Sequence, residues 1–204
     1  MSDVTPAAAA LDVGMLPTYA FGHRSVMWWA TMCMIAIEGM AFALAITSTL
    51  YLKGRVPHWP VGAPVPGLWW GSVNVAILVA SVWPNLKARK AAERFDLQGV
   101  RLWMAVALVF ALAFNIVRFL EFSQLEVRWD TNAYGSVTWF LLGLHTTHVL
   151  TDFLDSSVLA GVMFFGRLDE NRFVDVSENA MYWNFVVVSW LPIYAVIYLA
   201  PRIV

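Results

Sequence analysis

The sequence contains little of what a disulfide-bonded domain, a cysteine metal site or a nucleic-acid-binding protein needs. Its 204 residues include one cysteine, Cys33, which can form neither an internal disulfide nor a cysteine zinc site. Charged residues make up only 13% of the chain and the net charge is −1, so nothing indicates a nucleic-acid partner. There are only four histidines. The chain's chemistry must therefore come from few polar groups.

Hydrophobic residues, by contrast, are abundant and arranged in long blocks. They account for 60% of the chain, whereas soluble domains contain about 45–50%. Each block approaches the roughly 20 apolar residues that a helix needs to cross a bilayer, and none alternates as barrel strands do. The sequence therefore predicts an all-α, polytopic membrane helical bundle. Its five predicted transmembrane helices are about 25–50, 68–86, 102–122, 134–165 and 179–200.

The ends and loops predict an orientation. Residues 1–24 lack a basic segment followed by an apolar core, so we expect no cleavable signal peptide and interpret them as a cytoplasmic tail. Residues 25–204 then form a single five-helix transmembrane domain. One side of the membrane receives eight basic residues and the other four, which predicts a cytoplasmic N-terminus by the positive-inside rule. The eight are Arg24, Lys87, Arg89, Lys90, Arg94, Arg101, Arg167 and Arg172; the four are Lys53, Arg55, Arg128 and Arg202.

The fourth predicted helix carries an unusual polar stripe. At 100° per residue, His145, His148, Asp152 and Asp155 fall within about 80° of one another. Such groups are costly in lipid, so the stripe should face protein. A metal or haem site is one interpretation, but the other histidines lie in an end segment and a loop, and no pair of Glu-x-x-His motifs is present. A hydrogen-bonded structural stripe and a proton relay through Asp152 or Asp155 are the alternatives.

Four further polar residues lie inside predicted helices. Arg118 and Glu121 are three residues apart and can pair on one helix face, or the guanidinium can hold a lipid phosphate. Glu38 is near the middle of the first span with no basic residue nearby in sequence. We expect it to be protonated unless it finds a partner or water, and to serve either helix packing or a proton-linked role. Asn74 is most simply an interhelical hydrogen-bonding residue.

Four segments, in order, resemble subunit III of the haem–copper oxidases. "YGSVTWFLLGLHTTHV" (134–149) is similar to that family's sixth helix, with its Gly-Phe-His-x-x-His-Val core. "NAMYWNFVVVSWLPIYAVIY" (179–198) is similar to its last helix, with the signature Tyr-Trp-His-Phe-Val-Asp-x-x-Trp. "RFLEF" (118–122) falls at the family's Gln-x-x-Glu-Tyr, and "MCMIAIEGMAFALA" (32–45) resembles the helix with its intramembrane Glu. Five spans match the bacterial form that lacks two N-terminal helices.

This resemblance implies a non-redox accessory subunit in the bacterial inner membrane, with its C-terminus periplasmic. It implies no haem, copper or other cofactor in this chain, haem and copper in the partner subunit I, and subunit II as a second potential copper carrier. Subunits I and II and bound phospholipid, held in a cleft between two helix groups, are the implied partners. By position, Glu38 matches the intramembrane carboxylate, and Glu121, His145 and His148 match polar positions near the lipid cleft.

Departures from the pattern concern the polar residues. Asn184 stands where the family usually has His, Val187 where it has Asp, and Arg118 where it has Gln. Asp152 and Asp155 replace apolar or small residues. We expect these two carboxylates to meet Arg167, Arg172 or a basic residue of a partner subunit. Glu38, Asp152 and Asp155 are the proton-linked candidates, and Arg118, Glu121, His145, His148 and Asn184 are the lipid-cleft or structural candidates.

Three functions remain open at this point. The first is the accessory subunit of a respiratory oxidase, or of a nitric oxide reductase, supporting stability, lipid binding and proton uptake. The second is a stand-alone membrane enzyme with a metal at His145, His148 and the aspartates. The third is a transporter or channel that uses Glu38, Asp152 and Asp155.

Overall fold

The structure, a computed structural model, describes residues 19–60 and 62–203. Five long helices form most of this part of the chain. They are α1 (Val26–Gly54), α2 (Leu68–Glu93), α3 (Leu97–Ser123), α4 (Ala133–Phe165) and α5 (Glu170–Tyr194). The helical path of α5 continues through Ala195–Leu199 and Ala200–Arg202. No strand occurs in these ranges. The all-α prediction is therefore confirmed for the described residues, whereas most of the predicted tail, residues 1–18, lies outside them.

Four helical segments within these ranges are long and apolar enough to cross a membrane. They are Val26–Gly54, Leu97–Ser123, Ala133–Phe165 and Glu170–Arg202. The predicted second span lies on α2, which is long enough at 26 residues but is not among these four apolar segments. Its last turns carry Lys87, Arg89 and Lys90, and its buried side includes Asn74 and Asn85, which lower its hydropathy. The protein is a helical membrane protein, and the fifth crossing stays a prediction.

The helix starts follow local rules of capping. Ser25, Asp96 and Asn132 each precede a helix and accept a hydrogen bond from a backbone N–H in its first turn. Phe95 takes a positive φ of 56°, which closes the short turn between α2 and α3 into an antiparallel hairpin. The observed fifth helix begins at Glu170, nine residues before the predicted span, because its first turns are polar but still helical.

The bundle is organised around α5, which packs against α1, α2 and α4. α3 lies between α2 and α4, and α1 contacts only α4 and α5 to any extent. The main core joins Phe114 of α3, Leu141 and Leu142 of α4, and Val186 and Trp190 of α5. A second core at the other end of the bundle contains Ala92, Val100, Met163 and Phe173, among others. We call this the basic end, because Lys87, Arg89, Lys90, Arg94, Arg101, Arg167 and Arg172 lie there.

A close approach between α2 and α5 gives a test of the packing. Gly71 lies against the ring of Tyr198, and a Cβ at this glycine would be 2.7 Å from the ring. Gly143 on α4 has no such neighbour. We expect Gly71→Ala to lower stability by about 1–3 kcal/mol through overpacking, measured as the thermal midpoint in detergent. Gly143→Ala is the matched control and should not destabilise; equal midpoints for the two variants would contradict the α2–α5 contact.

Candidate functional site

The polar residues inside the bundle form two clusters. The first, the buried ion-pair cluster, consists of Arg118, Glu121, Asn74 and Tyr198. Nη1 of Arg118 lies 2.8 Å from Oε2 of Glu121 one helical turn away, and the side chains are 1% and 3% exposed. Nδ2 of Asn74 donates to the same oxygen over 2.6 Å. The Tyr198 hydroxyl donates to Oε1. Glu121 is therefore held by groups from α2, α3 and α5.

Arg118 is enclosed by aromatic rings rather than by lipid. Its guanidinium carbon lies 4.0 Å from the ring centroid of Trp190 and 4.8 Å from that of Phe114. A cation in such contact with ring faces gains electrostatic attraction, and more so when it is desolvated. Because Arg118 is almost fully buried, the geometry supports the internal ion pair over the lipid-phosphate alternative. Asn74 makes the interhelical hydrogen bond that its position in α2 predicted.

His145 belongs to the same region of the bundle. It is fully buried, and its Nε2 donates to the carbonyl oxygen of Val186 on α5 over 3.0 Å. Its ring packs 4.9 Å from that of Trp190. The imidazole thus links α4 to α5 by a hydrogen bond. This is the structural alternative for the polar stripe of α4. Asn184 behaves differently, since its buried Oδ1 has no hydrogen-bond partner among the described residues.

The second cluster lies in a groove between α1, α4 and α5. This acidic groove has a volume of about 580 Å³ and is lined by Glu38, Asp152, Asp155, Asp175 and Glu178, with apolar residues between them. Its lining runs from Met27, Val162 and Arg172 near the basic end to Glu38 and Tyr182 deeper in the bundle. The groove therefore leads from the basic end into the span.

Glu38 closes the deep end of the groove and has partners on two helices. The Tyr182 hydroxyl donates to its Oε2 over 2.8 Å. Nε2 of His148 lies 3.6 Å from its Oε1. The sequence predicts that Glu38 is protonated unless it finds a partner or water, and α4 and α5 supply such partners.

The prediction that Asp152 and Asp155 pair with Arg167 or Arg172 is wrong. Nδ2 of Asn179 approaches Asp152 at 3.3 Å and Asp155 at 3.4 Å. Arg172 instead pairs with Asp175, one turn along its own helix, at 3.2 Å. Asn179 lies two turns deeper along α5 than Arg172 and therefore reaches the level of the two aspartates. A basic residue from a partner subunit remains an untested alternative.

Sequence reasoning missed five residues of these clusters: Asp175, Tyr198, Tyr182, Asn179 and Glu178. The last three, with Asp175, are spaced by three or four residues along α5, which places them on one helix face. That spacing is a usable signal. The predicted fifth span begins at residue 179 and therefore leaves Asp175 and Glu178 outside the pattern.

A metal centre needs several ligands in one place. Within residues 19–60 and 62–203, no three His, Cys, Asp or Glu side chains are grouped so that they could hold a metal ion. His145 and His148 point to different partners, a backbone carbonyl and Glu38. The described residues therefore give the stand-alone metal enzyme no three-ligand cluster.

The fold and the two clusters define an α-helical integral membrane protein that holds a buried ion pair and an acidic groove inside its bundle. Comparison with known proteins then gives the particular family, since residues 30–201 match the family described as cytochrome c oxidase subunit III. The chain belongs to the cytochrome c oxidase subunit III family.

Individual relatives agree along most of the chain. A protein named cytochrome c oxidase subunit 3 from Synechocystis is 27% identical over 180 residues, covering 87% of this chain and 77% of the relative. The protein of that name from Thermostichus vulcanus is 22% identical, with 90% and 92% covered. That from Corynebacterium diphtheriae is 29% identical, with 77% and 78% covered. The ordered motifs thus reflect a relationship over nearly the whole length.

The buried ion-pair cluster can be tested by comparing a single variant with a double variant. We expect Glu121→Gln to destabilise the protein by about 3–5 kcal/mol, because it leaves the Arg118 charge buried without a counter-ion. Arg118→Met with Glu121→Met should cost clearly less than Glu121→Gln, since no lone charge remains. Stability is measured by denaturant titration in micelles.

The matched control for this comparison is the exposed pair Arg89–Glu93, whose charged atoms lie 2.9 Å apart on α2. We expect Glu93→Gln to cost at most about 1 kcal/mol. A Glu121→Gln variant as stable as Glu93→Gln would contradict the role of the buried pair.

Proposed function

We propose that this chain is the non-redox subunit III of a bacterial respiratory haem–copper terminal oxidase. The observation that carries the proposal is the family match over residues 30–201, which reaches from α1 to the end of the described helical path. In this role the chain packs against the catalytic subunit I, with subunit II in the same complex. Haem and copper reside in subunit I, with subunit II as a second copper carrier, and electron transfer takes place there.

Two finer roles follow from where the polar groups lie. The acidic groove leads into the span towards Glu38, which suits support of proton uptake at the cytoplasmic side. Structural phospholipid is held against the apolar helix faces, of which α1 exposes Ile37, Met40 and Leu44. The closed ion-pair cluster contributes stability and takes no part in proton movement, since Arg118 keeps its proton.

We further propose that the chain lies in the bacterial inner membrane with its N-terminus in the cytoplasm and its C-terminus in the periplasm. The basic end then faces the cytoplasm, in keeping with the positive-inside rule. The acidic groove opens on the same side. Proton uptake and the groove thereby share one side of the membrane.

The identity of the complex is tested by purifying the full chain, with an affinity tag, from membranes of its native host. We expect a large many-span protein with haem and copper to co-purify, and the preparation to reduce oxygen. A tagged multi-pass protein of unrelated function is the control for carry-over. A preparation without haem would contradict the proposal. Haem with nitric oxide reduction and no copper would point instead to a nitric oxide reductase.

Orientation is tested with single-cysteine variants in a Cys33→Ser background. Arg94 at the basic end and Asp130 at the opposite end are both exposed and are replaced in turn by cysteine. A membrane-impermeant maleimide added to spheroplasts should label the cysteine at 130 and spare that at 94. Both should react after permeabilisation. Labelling of position 94 in intact spheroplasts would reverse the proposed topology.

A further inference from the structure

We propose that Glu38 and His148 hold one exchangeable proton between them, and that this proton is exchanged with the basic end of the bundle through the acidic groove. The inference deepens the proton-supporting role above, on which its use by the enzyme rests. The shared proton itself follows from the geometry of α1, α4 and α5.

The tautomer of His148 is set by its own helix. Its Nδ1 lies 2.7 Å from the carbonyl oxygen of Leu144. A carbonyl only accepts, so Nδ1 must carry a hydrogen and donate. In a neutral imidazole the other nitrogen, Nε2, is then an acceptor, and it is this nitrogen that faces Oε1 of Glu38. Two facing acceptors repel each other, so a proton on either atom stabilises the contact.

That proton has two possible positions with the same total charge. On Glu38 it gives a neutral acid beside a neutral imidazole, and on Nε2 it gives a carboxylate beside an imidazolium. Both states are net neutral, so both avoid an uncompensated charge inside the span. The separation of 3.6 Å exceeds a direct hydrogen bond. A small side-chain rotation brings the two atoms within hydrogen-bond distance.

Tyr182 fixes which carboxylate oxygen takes part. Its hydroxyl donates to Oε2 of Glu38 over 2.8 Å, which leaves Oε1 as the oxygen that binds the shared proton. The carboxyl group is thereby oriented from α5 while His148 approaches from α4. Loss of Tyr182 would free the carboxyl group to rotate but would not remove the proton-binding atoms.

The groove offers this pair a polar route to the basic end. Asp152 and Asp155 lie one and two helical turns from His148 along α4, and Glu178 and Asp175 line the facing side of α5. Asp152 is 3% exposed and Glu178 is 5% exposed, yet Oδ2 of Asp152 and Oε2 of Glu178 have no partner among the described residues. Buried oxygens of this kind take hydrogen bonds from water. At roughly 30 Å³ per molecule, the groove has room for a chain of waters.

The charged groups around the pair are unevenly distributed. Arg172 lies at the mouth of the groove and is paired with Asp175 at 3.2 Å. Asn179 places a neutral amide between Asp152 and Asp155. Among the described residues, His148 is the basic side chain that lies within ion-pair distance of Glu38. Carboxylates along the walls attract protons from the basic end towards the pair.

Aromatic packing closes the opposite direction. The ring of Phe42 lies 4.8 Å from that of His148 and 6.1 Å from that of His145, and His145 packs on Trp190. These rings fill the bundle beyond the pair. Exchange accordingly runs through the groove: a hydrated proton leaves a groove water, and a new O–H or N–H bond forms at Glu38 or His148. No oxidant or reductant takes part.

The first test is the infrared spectrum of the purified complex in lipid nanodiscs as pH is varied. We expect one carboxylic C=O band and one imidazole band to change together. Glu38→Gln and His148→Gln should each remove that joint step, and the double variant should remove nothing more. Glu126→Gln, in the described loop at the opposite end, is the control and should leave it intact. Persistence of the step in both single variants would overturn the shared proton.

The second test asks whether the groove is the route. Thr31 lines the groove, and Met40, nine residues along the same helix, is 62% exposed on its outer surface. After transfer to D₂O, Thr31→Trp should slow the isotope shift of the carboxylic band by about tenfold, equivalent to about 1.4 kcal/mol in the barrier. Met40→Trp should exchange like the unsubstituted protein. Equal rates in the two tryptophan variants would overturn the groove as the route.

The two tests fail separately from the proposed function. If Glu38→Gln does not assemble, His148→Gln and the tryptophan pair still decide the question. A complex that contains haem and copper but shows no joint infrared step would contradict the shared proton and leave the subunit assignment standing. A joint step in a complex without haem would support the shared proton and contradict the subunit assignment.

Discussion

A charge inside a bilayer must be neutralised within the protein, because neither lipid nor distant solvent can do so. The structure meets this constraint in two ways. Glu121 is matched permanently, by Arg118 on its own helix and by donors from α2 and α5. Glu38 instead faces the imidazole of His148 on α4, 3.6 Å away, and accepts a hydrogen bond from Tyr182 on α5. α5 contributes to both clusters, through Tyr198 and Tyr182, and it is also the helix against which α1, α2 and α4 pack.

This difference separates a structural cluster from a responsive one. An arginine keeps its charge, so the buried ion-pair cluster holds the helices in one arrangement and contributes to stability. The histidine–carboxylate pair lies at the end of an acidic groove that leads to the basic end. Under the proposed function, the first cluster serves the stability of a larger complex and the second serves proton uptake. The two tasks use different residues and different regions of the bundle.

Much of this arrangement follows from sequence. The long apolar blocks predict the helices, and the spacing of Arg118 and Glu121 gives their pair as one of two alternatives. Partners on different helices could not be predicted, since the pairing of Glu38 with His148 depends on how α1 meets α4. The polar first turns of α5 lie outside the predicted span, which leaves Asp175 and Glu178, and with them the acidic groove, out of the prediction. For Asp152 and Asp155, opposite charge suggested an arginine, but depth along α5 selects Asn179.

The measurement that tests the account most directly is the lifetime of the oxidase during sustained turnover, with and without this chain. Deleting the chain should leave initial oxygen reduction largely intact but cause activity to decay after far fewer turnovers, since the catalytic core loses stabilising contacts and proton supply. Adding back the purified chain should restore the lifetime, whereas the Glu121→Gln variant should do so poorly. A core that decays at the same rate in the absence and presence of the chain would contradict the account.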